Sequence, residues 1–488
     1  MIARFAGAIL GALLFALPAA AAPLVIGGTV ITPNGPVPNA WVVIDQGKIQ
    51  AIMTTPPAIP GSKVLPSNDL IFPGFVDLHN HPLYNVIPRW QPGVLFDNRY
   101  KWRNDPRYKA AIAAPQNMLM KAGGVCDADE FSEVKALIGG TTSIIGTSNY
   151  GTVPACFGGL ARNLDLATGF YPRGAAERIR NEIGMEDQDD IAHDMTPQKA
   201  AEIRGQLAHG DLDLLAIHIG EGKRSDPLSK GELDLLDKAQ LLTNRTVIVH
   251  GVALDTAGFA RLHKVGASLV WSPRSNMELY GETTDLGAAR AAQVPVALAP
   301  DWSPSGSDNS LAEIRYAAAL DAAKSGVALT PKDLFEMATI VPAKIAHIDD
   351  RVGTLAPGLY ADLFMIAGDP AKPYDALVQS QPGTLDLVMV AGEPIFGTRD
   401  NLTTLGVPNT EALAVCGSTR ALNSNALPEG PLAAASARLD TLLKAQNPAS
   451  HLAPLAECPP AAIPASDTSS APATPAAKPA RRHGRHHR

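Results

Sequence analysis

From about Ile71 to Asp349, short apolar runs with strand character alternate with helical patterns, and no other feature of this 488-residue chain restricts its fold so tightly. The strand-like runs are "IFPGFVDLHNH", "TTSIIGTS", "LLAIHIGE", "TVIVHGV", "ASLVWSPRSN" and "VPVALAPDWS". Between them lie helical stretches such as "SKGELDLLDKAQLL", "DTAGFARLHKVG" and "TPKDLFEMATIVPAKIAHI". Strands separated by helices of this length need crossover connections, which produce a parallel sheet covered by helices. Six strands are plain. Closure into an eight-stranded (β/α)8 barrel requires two more between Phe157 and Asp213. Such barrels present their reactive groups at the C-terminal ends of the strands.

Both flanks have a different texture. "LVIGGTVITPNG" and "AWVVIDQGKIQAIM" before the alternating region, and "YADLFMIAGDP" and "LDLVMVAGEPIFG" after it, resemble antiparallel strands broken at turn residues. The expected architecture is therefore an α/β barrel over residues 71–350, with a small β-sandwich domain from 23–70 and 351–400. A C-terminal extension follows over 401–458. Pro459 to Arg488 is rich in Pro, Ala and Ser and ends "KPARRHGRHHR", the composition of a disordered basic tail. His483, His486 and His487 read there as solvated groups.

At the other end, Arg4, the apolar run Phe5 to Leu17, Pro18 and the alanines up to Ala22 have the layout of a cleavable signal peptide, residues 1–22. The run is shorter than the roughly 20 residues that span a bilayer. A periplasmic or secreted protein without a stable membrane anchor is expected. Four cysteines suit that compartment. Of three pairings, clustering along the chain favours Cys126–Cys156 and Cys416–Cys458. A formal charge of −7 argues against nucleic acid as a partner. A small-molecule substrate is the expected partner, and a homo-oligomer stays open.

The sharpest chemical signal is "PGFVDLHNH". Residues two apart on a strand point the same way, so His79 and His81 project together and can chelate one divalent metal. Asp77 reads as a structural group that holds this strand end. His218 ends another apolar strand, with Glu221 three residues on, where a carboxylate can move protons. His250 and Asp301 end two further strands. Ionisable groups at four strand ends are costly to bury unless paired or metal-bound.

Taken in order, "PGFVDLHNH", "HIGE", "VIVHG", "SPRSN" and "APDWSPSGSDNSL" resemble the amidohydrolase superfamily. The branch they are most similar to comprises cytosine deaminases, S-adenosylhomocysteine deaminases and triazine hydrolases. The resemblance runs from about Leu24 to Gly397. It implies a (β/α)8 barrel with metal ligands His79, His81, His218 and Asp301. It further implies Glu221 as proton shuttle, Asp301 as acceptor of the water's proton, and His250 as the group polarising the substrate's carbonyl or imine. Binuclear branches use a carboxylated lysine at a mid-barrel strand end, whereas Lys135 and Lys199 lie in helical sequence. One ion is therefore implied, Zn²⁺ with Fe²⁺ as the alternative. The segment Pro82 to Val134 does not match the substrate-determining loops of known deaminases.

The implied activity is hydrolysis of a carbon–nitrogen bond other than a peptide bond, of the deaminase type. Cleavage of an N-acyl amide or lactam is the rival, and an exported metal-binding protein without turnover is the alternative from another class. Trp302 and Ser303, next to Asp301, are expected to line the substrate pocket. Tyr84, Trp90, Phe96, Tyr100 and Trp102 crowd the loop after the first strand, where a substrate-covering lid or plain loop packing are equally open. His193, His209, His263, His347 and His451 read as surface or capping groups.

Overall fold

Alternation along the flank strands builds a sheet with two buried faces. The computed structural model describes residues 22–146, 156, 160–165, 179–182, 195–320 and 322–458; nearly all of the expected signal peptide and the expected basic tail lie outside them. From the N-terminal flank come β1 (Leu24–Thr32), β2 (Gly35–Asp45), β3 (Lys48–Met53), β4 (Lys63–Leu65) and β5 (Leu70–Pro73). They join one ten-stranded sheet with strands from the C-terminal flank, β14 (Leu363–Ile366), β15 (Leu385–Val390), β16 (Glu393–Gly397), β17 (Thr410–Val415) and β18 (Ser418–Asn423). Ile71, Leu363, Met365, Leu387 and Met389 turn one way, into a core shared with Ile26, Val42 and Ile44. Leu70, Phe72, Phe364 and Val388 turn the other way, into the large core that reaches the barrel loops. The flanks thus meet as expected, but as one continuous ladder instead of two separately hydrogen-bonded sheets. It extends past residue 400 through β17 and β18, because Ala421 and Leu422 pair with Gly397 and Phe396 of β16 on one side and with Ala412 and Glu411 of β17 on the other.

The remaining strands are parallel. β6 (Phe75–Asp77), β7 (Thr141–Ile144) and β8 (Arg162–Asn163) form one arc. β9 (Ile179–Glu182), β10 (Leu214–Ile219), β11 (Thr246–His250), β12 (Ser268–Trp271) and β13 (Val296–Leu298) form a second. A parallel bridge between Asn80 and Asp301 joins the arcs on one side, reinforced by Asp301 N–H donating to the His79 carbonyl at 3.1 Å. Residues from or beside all eight strands, from Val76, Ile145 and Leu164 to Val249, Val270 and Ala297, share one apolar cluster. The outward residues Ile217, Ile219, Ile248 and Leu269 pack on Leu233, Leu236, Phe259 and Leu262 of the crossover helices. Burial on both faces is why these strands are apolar throughout.

"IFPGFVDLHNH" is not a single strand. β5 runs antiparallel to β14 in the flank sheet, whereas β6 runs parallel to β7. The change of sheet falls at Gly74, where a Cβ would sit 2.2 Å from Thr142 Oγ1, so only glycine lets the two strands approach. The flank sheet therefore extends to Pro73, beyond the expected boundary at 70.

Candidate metal and substrate site

The C-terminal ends of β6, β10, β11 and β13 converge on one point. Asp77 ends β6 and turns its carboxylate onto the chain beyond it, accepting from His79 N–H at 3.0 Å and from Asn80 Nδ2 at 2.6 Å. That turn delivers His79 and His81 to the barrel mouth. His79 Nε2 lies 3.1 Å from His218 Nε2 and 3.2 Å from Asp301 Oδ1, and His81 Nε2 lies 3.4 Å from the same oxygen. The ligand atoms of His79, His81 and His218 all lie within 4.8 Å of one another, as do those of His79, His250 and Asp301.

The backbone at two of these positions is unusual. His250 and Asp301 both adopt the left-handed region, at φ 70° and 67°. Such a conformation costs a non-glycine residue about 1–3 kcal/mol and persists only where surrounding contacts enforce it. Those contacts are visible: Thr284 Oγ1 donates to the His250 carbonyl at 2.5 Å, and Asp301 is pinned through its own N–H to His79.

Electrostatics favour a cation. Burial lowers the pKa of His79 well below the ordinary range, that of His81 to about 3, and that of His250, so the imidazoles are neutral and keep lone pairs to offer. Burial pushes the Asp301 carboxyl well up, a hydrogen bond from Ser275 offsets part of this, and the neighbouring Glu221, Glu313 and Asp77 carboxyls add to the rise. Neutral imidazoles beside a buried carboxyl that only a cation would hold ionised form a donor set that a divalent ion satisfies. Ring orientation is fixed from behind. His79 Nδ1 meets Ser272 Oγ at 2.8 Å, and His250 Nδ1 meets Asn276 Oδ1 at 2.8 Å. Asn276 Nδ2 donates to Thr283 Oγ1 at 3.3 Å, so its oxygen faces the ring. Neutral His250 therefore carries its proton on Nδ1 and turns a lone pair toward the cavity.

Glu221 Oε2 lies 3.8 Å from His250 Nε2. Its other oxygen accepts from Tyr280 Oη at 2.6 Å, and Tyr280 Oη in turn accepts from Trp102 Nε1 at 2.7 Å. Burial, together with the Glu221 charge, keeps the Tyr280 phenol protonated, so it donates to the carboxylate. Above these groups opens a cavity of about 140 Å³, on the order of the space of one aromatic ring. His81, His218, His250, Glu221 and Asp301 line its floor. Tyr84, Trp102, Tyr108 and Trp302 wall it, with Trp302 5.3 Å from Tyr84 and 5.7 Å from Trp102 between ring centroids.

Ser303 does not line this cavity. Its backbone N–H donates to Asn85 Oδ1 at 2.8 Å, and the residue is buried. The aromatic loop also divides. Tyr84 and Trp102 reach the cavity, whereas Trp90 stacks on Phe96 at 5.8 Å and Tyr100 bonds Glu232, the ion-pair partner of Arg99. Lys135 is buried in the helix Val125–Leu137 against Asp308 at 2.8 Å, and Lys199 lies on the helix Pro197–His209; neither lines the cavity. His209, His263, His347 and His451 are exposed, and His193 lies outside the described residues.

Sequence reasoning missed Ser272, Asn276, Tyr108 and Tyr280. The first two stand in "SPRSN", whose spacing puts both residues at the start of the helix Pro273–Tyr280, and that was the available signal. Tyr108 and Tyr280 sit in helices without any distinguishing pattern.

An amidohydrolase family model matches residues 207–395. The 5-methylthioadenosine/S-adenosylhomocysteine deaminase of Teredinibacter turnerae is 34% identical over 188 residues, which cover 36% of this chain and 42% of that enzyme. The enzyme of the same name from Haloarcula marismortui is 26% identical over 377 residues, 70% of this chain and 84% of its own length. Among solved structures, an adenosine deaminase from Xanthomonas campestris with bound zinc superposes with a TM-score of 0.64 at 17% identity, covering 88% of this chain and 100% of that one. This likeness shows an α/β fold of the TIM-barrel type.

Proposed function

We propose that this chain is a member of the amidohydrolase family and a metal-dependent hydrolase of the deaminase type, opening a carbon–nitrogen bond in a small planar substrate. The observation that carries this reading is the convergence of His79, His81, His218 and Asp301 at one buried point, with Glu221 and His250 beside it. We read the two parallel arcs as one closed (β/α)8 barrel, with the ten-stranded flank sheet as its sandwich-like companion.

His79, His81, His218 and Asp301 would hold one divalent ion, Zn²⁺ or Fe²⁺, which supplies the Lewis acidity that makes water a nucleophile at neutral pH. Asp301 takes the proton of the attacking water, from which its Oδ1 is well placed beside both His79 and His81. Glu221, held by Tyr280, relays to the departing nitrogen a proton that originates in the attacking water, so what the nitrogen gains is what the water gives up. His250 faces the substrate with a lone pair, so it serves as a donor to a developing negative charge only while it holds the same proton that Glu221, at 3.8 Å, relays onward to the nitrogen. Trp102, Tyr108 and Trp302 exclude water and set a flat wall for the substrate ring.

The relatives' substrates frame the test. Purified full-length chain loaded with Zn²⁺ is screened against aminated purines and their nucleosides, other cyclic amidines, lactams and N-acyl compounds, with ammonia release followed directly. Ammonia release from at least one cyclic amidine, abolished by chelation and restored by metal, is expected. Turnover confined to N-acyl compounds or lactams would replace deamination with amide hydrolysis, and no turnover across the panel would remove the reading. We further propose an exported location, supported by two cross-links, Cys126–Cys156 and Cys416–Cys458. Native-source protein that begins at Met1 and titrates four thiols would overturn it.

A further inference from the structure

The last described segment of the chain returns to the loops around the cavity without lining it. It leaves the helix Leu432–Gln446, packs Leu452, Leu455 and Ala456 on the main core, and ends at Cys458, cross-linked to Cys416 in the β17–β18 turn. Ala453 N–H donates to the Val86 carbonyl at 2.9 Å, which lays this strap along the loop after β6. Glu457, adjacent to the cross-link, then places one carboxylate between two parts of the rim and, through Arg89, reaches a third.

Glu457 Oε1 accepts from Arg89 Nε, and Oε2 accepts from Arg89 Nη2 at 3.0 Å and from Arg274 Nη2 at 2.7 Å. Arg89 also donates to the Gly306 carbonyl at 2.6 Å. Each partner belongs to a segment that furnishes the cavity. Arg89 lies on the loop of His81 and Tyr84. Arg274 opens the helix Pro273–Tyr280, which carries Asn276 and Tyr280, the partners of His250 and Glu221. Gly306 closes the turn begun by Asp301 and Trp302, its N–H donating to the Trp302 carbonyl at 2.7 Å. Bidentate arginine–carboxylate contacts fix geometry as well as charge. A single carboxylate on two guanidiniums thus ties together loops that are otherwise distant in sequence.

We propose that Glu457 is a positioning residue for the cavity, and that the Cys416–Cys458 cross-link holds it in place, so that the C-terminal strap completes a site whose reacting groups all lie elsewhere. Its bearing on catalysis rests on the hydrolase reading, but the tie itself does not. The experiment compares full-length wild type with Glu457→Gln and with the double variant Cys416→Ser/Cys458→Ser, which leaves Cys126–Cys156 intact. Amide exchange is measured over residues 82–92, 272–281 and 300–309, together with zinc release to a chelator and, once a substrate is found, kcat and KM. Both variants are expected to exchange faster in those three segments than wild type, to release zinc about tenfold faster, and to lose about tenfold or more in kcat with little change in KM, since small misplacements of reacting groups are costly. A residue with only a structural role would lower the urea midpoint and speed exchange across the whole chain instead. Unchanged exchange in all three segments of folded Glu457→Gln overturns the proposal. Should the double variant fail to fold, Glu457→Gln decides alone, because it keeps both disulfides. If wild type retains no zinc and hydrolyses nothing, the functional reading falls, and the exchange data still decide the tie.

Discussion

At the scale of the residue, Glu221 and His218 separate two jobs that lie within one cavity. Glu221 is fixed by Tyr280 and lies 3.8 Å from His250; its carboxylate is within 4.8 Å of His218 but belongs to neither grouping that contains His79, so we assign it work with protons. Glu221→Gln keeps the shape and the Tyr280 contact but cannot release a proton. Turnover should fall about 10²–10⁴-fold while zinc content by elemental analysis stays at the wild-type level. His218→Ala removes one imidazole of the cluster and should lose zinc and activity together. A Gln variant that turns over normally, or that sheds its zinc as His218→Ala does, reverses the assignment. A second residue gives a pH signature. Burial raises the Glu313 carboxyl from 4.5 to about 7, against the hydrogen bond from Arg274 N–H. Between those values the native state keeps a proton that the unfolded state has released. The stabilisation is thus fully present below pH 4.5 and is lost as pH rises through 7. Glu313→Gln has nothing to titrate there, so wild type should lose ground to the variant between about pH 5 and about pH 8 in urea unfolding at fixed metal content. A constant gap across that range would count against the shift.

Elements show where local pattern sufficed and where it did not. The ends of β10, β11 and β13 were legible because apolar strand residues stop at one polar group, and His218, His250 and Asp301 occupy those ends. β6 was legible only in its outcome. "IFPGFVDLHNH" reads as one strand because nothing in its hydrophobic pattern marks the change from the flank sheet to the barrel. That change depends on Thr142 from a strand some 70 residues later, a contact that no local window contains. The same holds for Ser303. Its position next to Asp301 suggested the pocket, yet the left-handed turn at Asp301 rotates it onto Asn85. The aromatic loop was legible as a rim, but which rings face the cavity was decided by partners from other loops, Tyr280 for Trp102 and Glu232 for Tyr100. Gly74 gives the element scale its test. Gly74→Ala forces a methyl group into Thr142, and overpacking of this kind costs about 1–3 kcal/mol in stability. Urea unfolding should show that loss, and Gly74→Ala/Thr142→Ser should recover part of it. A single variant as stable as wild type would mean that the junction yields without cost.

For the molecule as a whole, the cavity joins segments that lie far apart in the chain, from His79 to the strap at Glu457, and the number of ions it takes follows from what that assembly includes and omits. Two ions at one barrel mouth need a bridging anion between them. The two lysines that sequence analysis weighed for a carboxylated bridge are both elsewhere: Lys135 is committed to Asp308 in a buried ion pair, and Lys199 lies on an outer helix. Among the described residues, the histidine and carboxylate groupings within ligand reach of one another all draw on the same five residues, His79, His81, His218, His250 and Asp301, with Glu221 at their edge. The remaining grouping, Cys126, Cys156 and Glu429, has both sulfurs spent on a disulfide. His79 stands in two of those groupings, with His81 and His218 and with His250 and Asp301, which centres them on one position, and His250 is turned by Asn276 toward Glu221 and the cavity. The chain should therefore retain about one equivalent of zinc after loading and desalting. The basic tail after Cys458 carries three histidines and could add loosely held metal, so a chain ending there serves as the control. Elemental analysis of both forms settles the count. Two equivalents held tightly by the shortened chain would show that a second ion binds among His250, Glu221 and their neighbours, and the single-ion reading would fall.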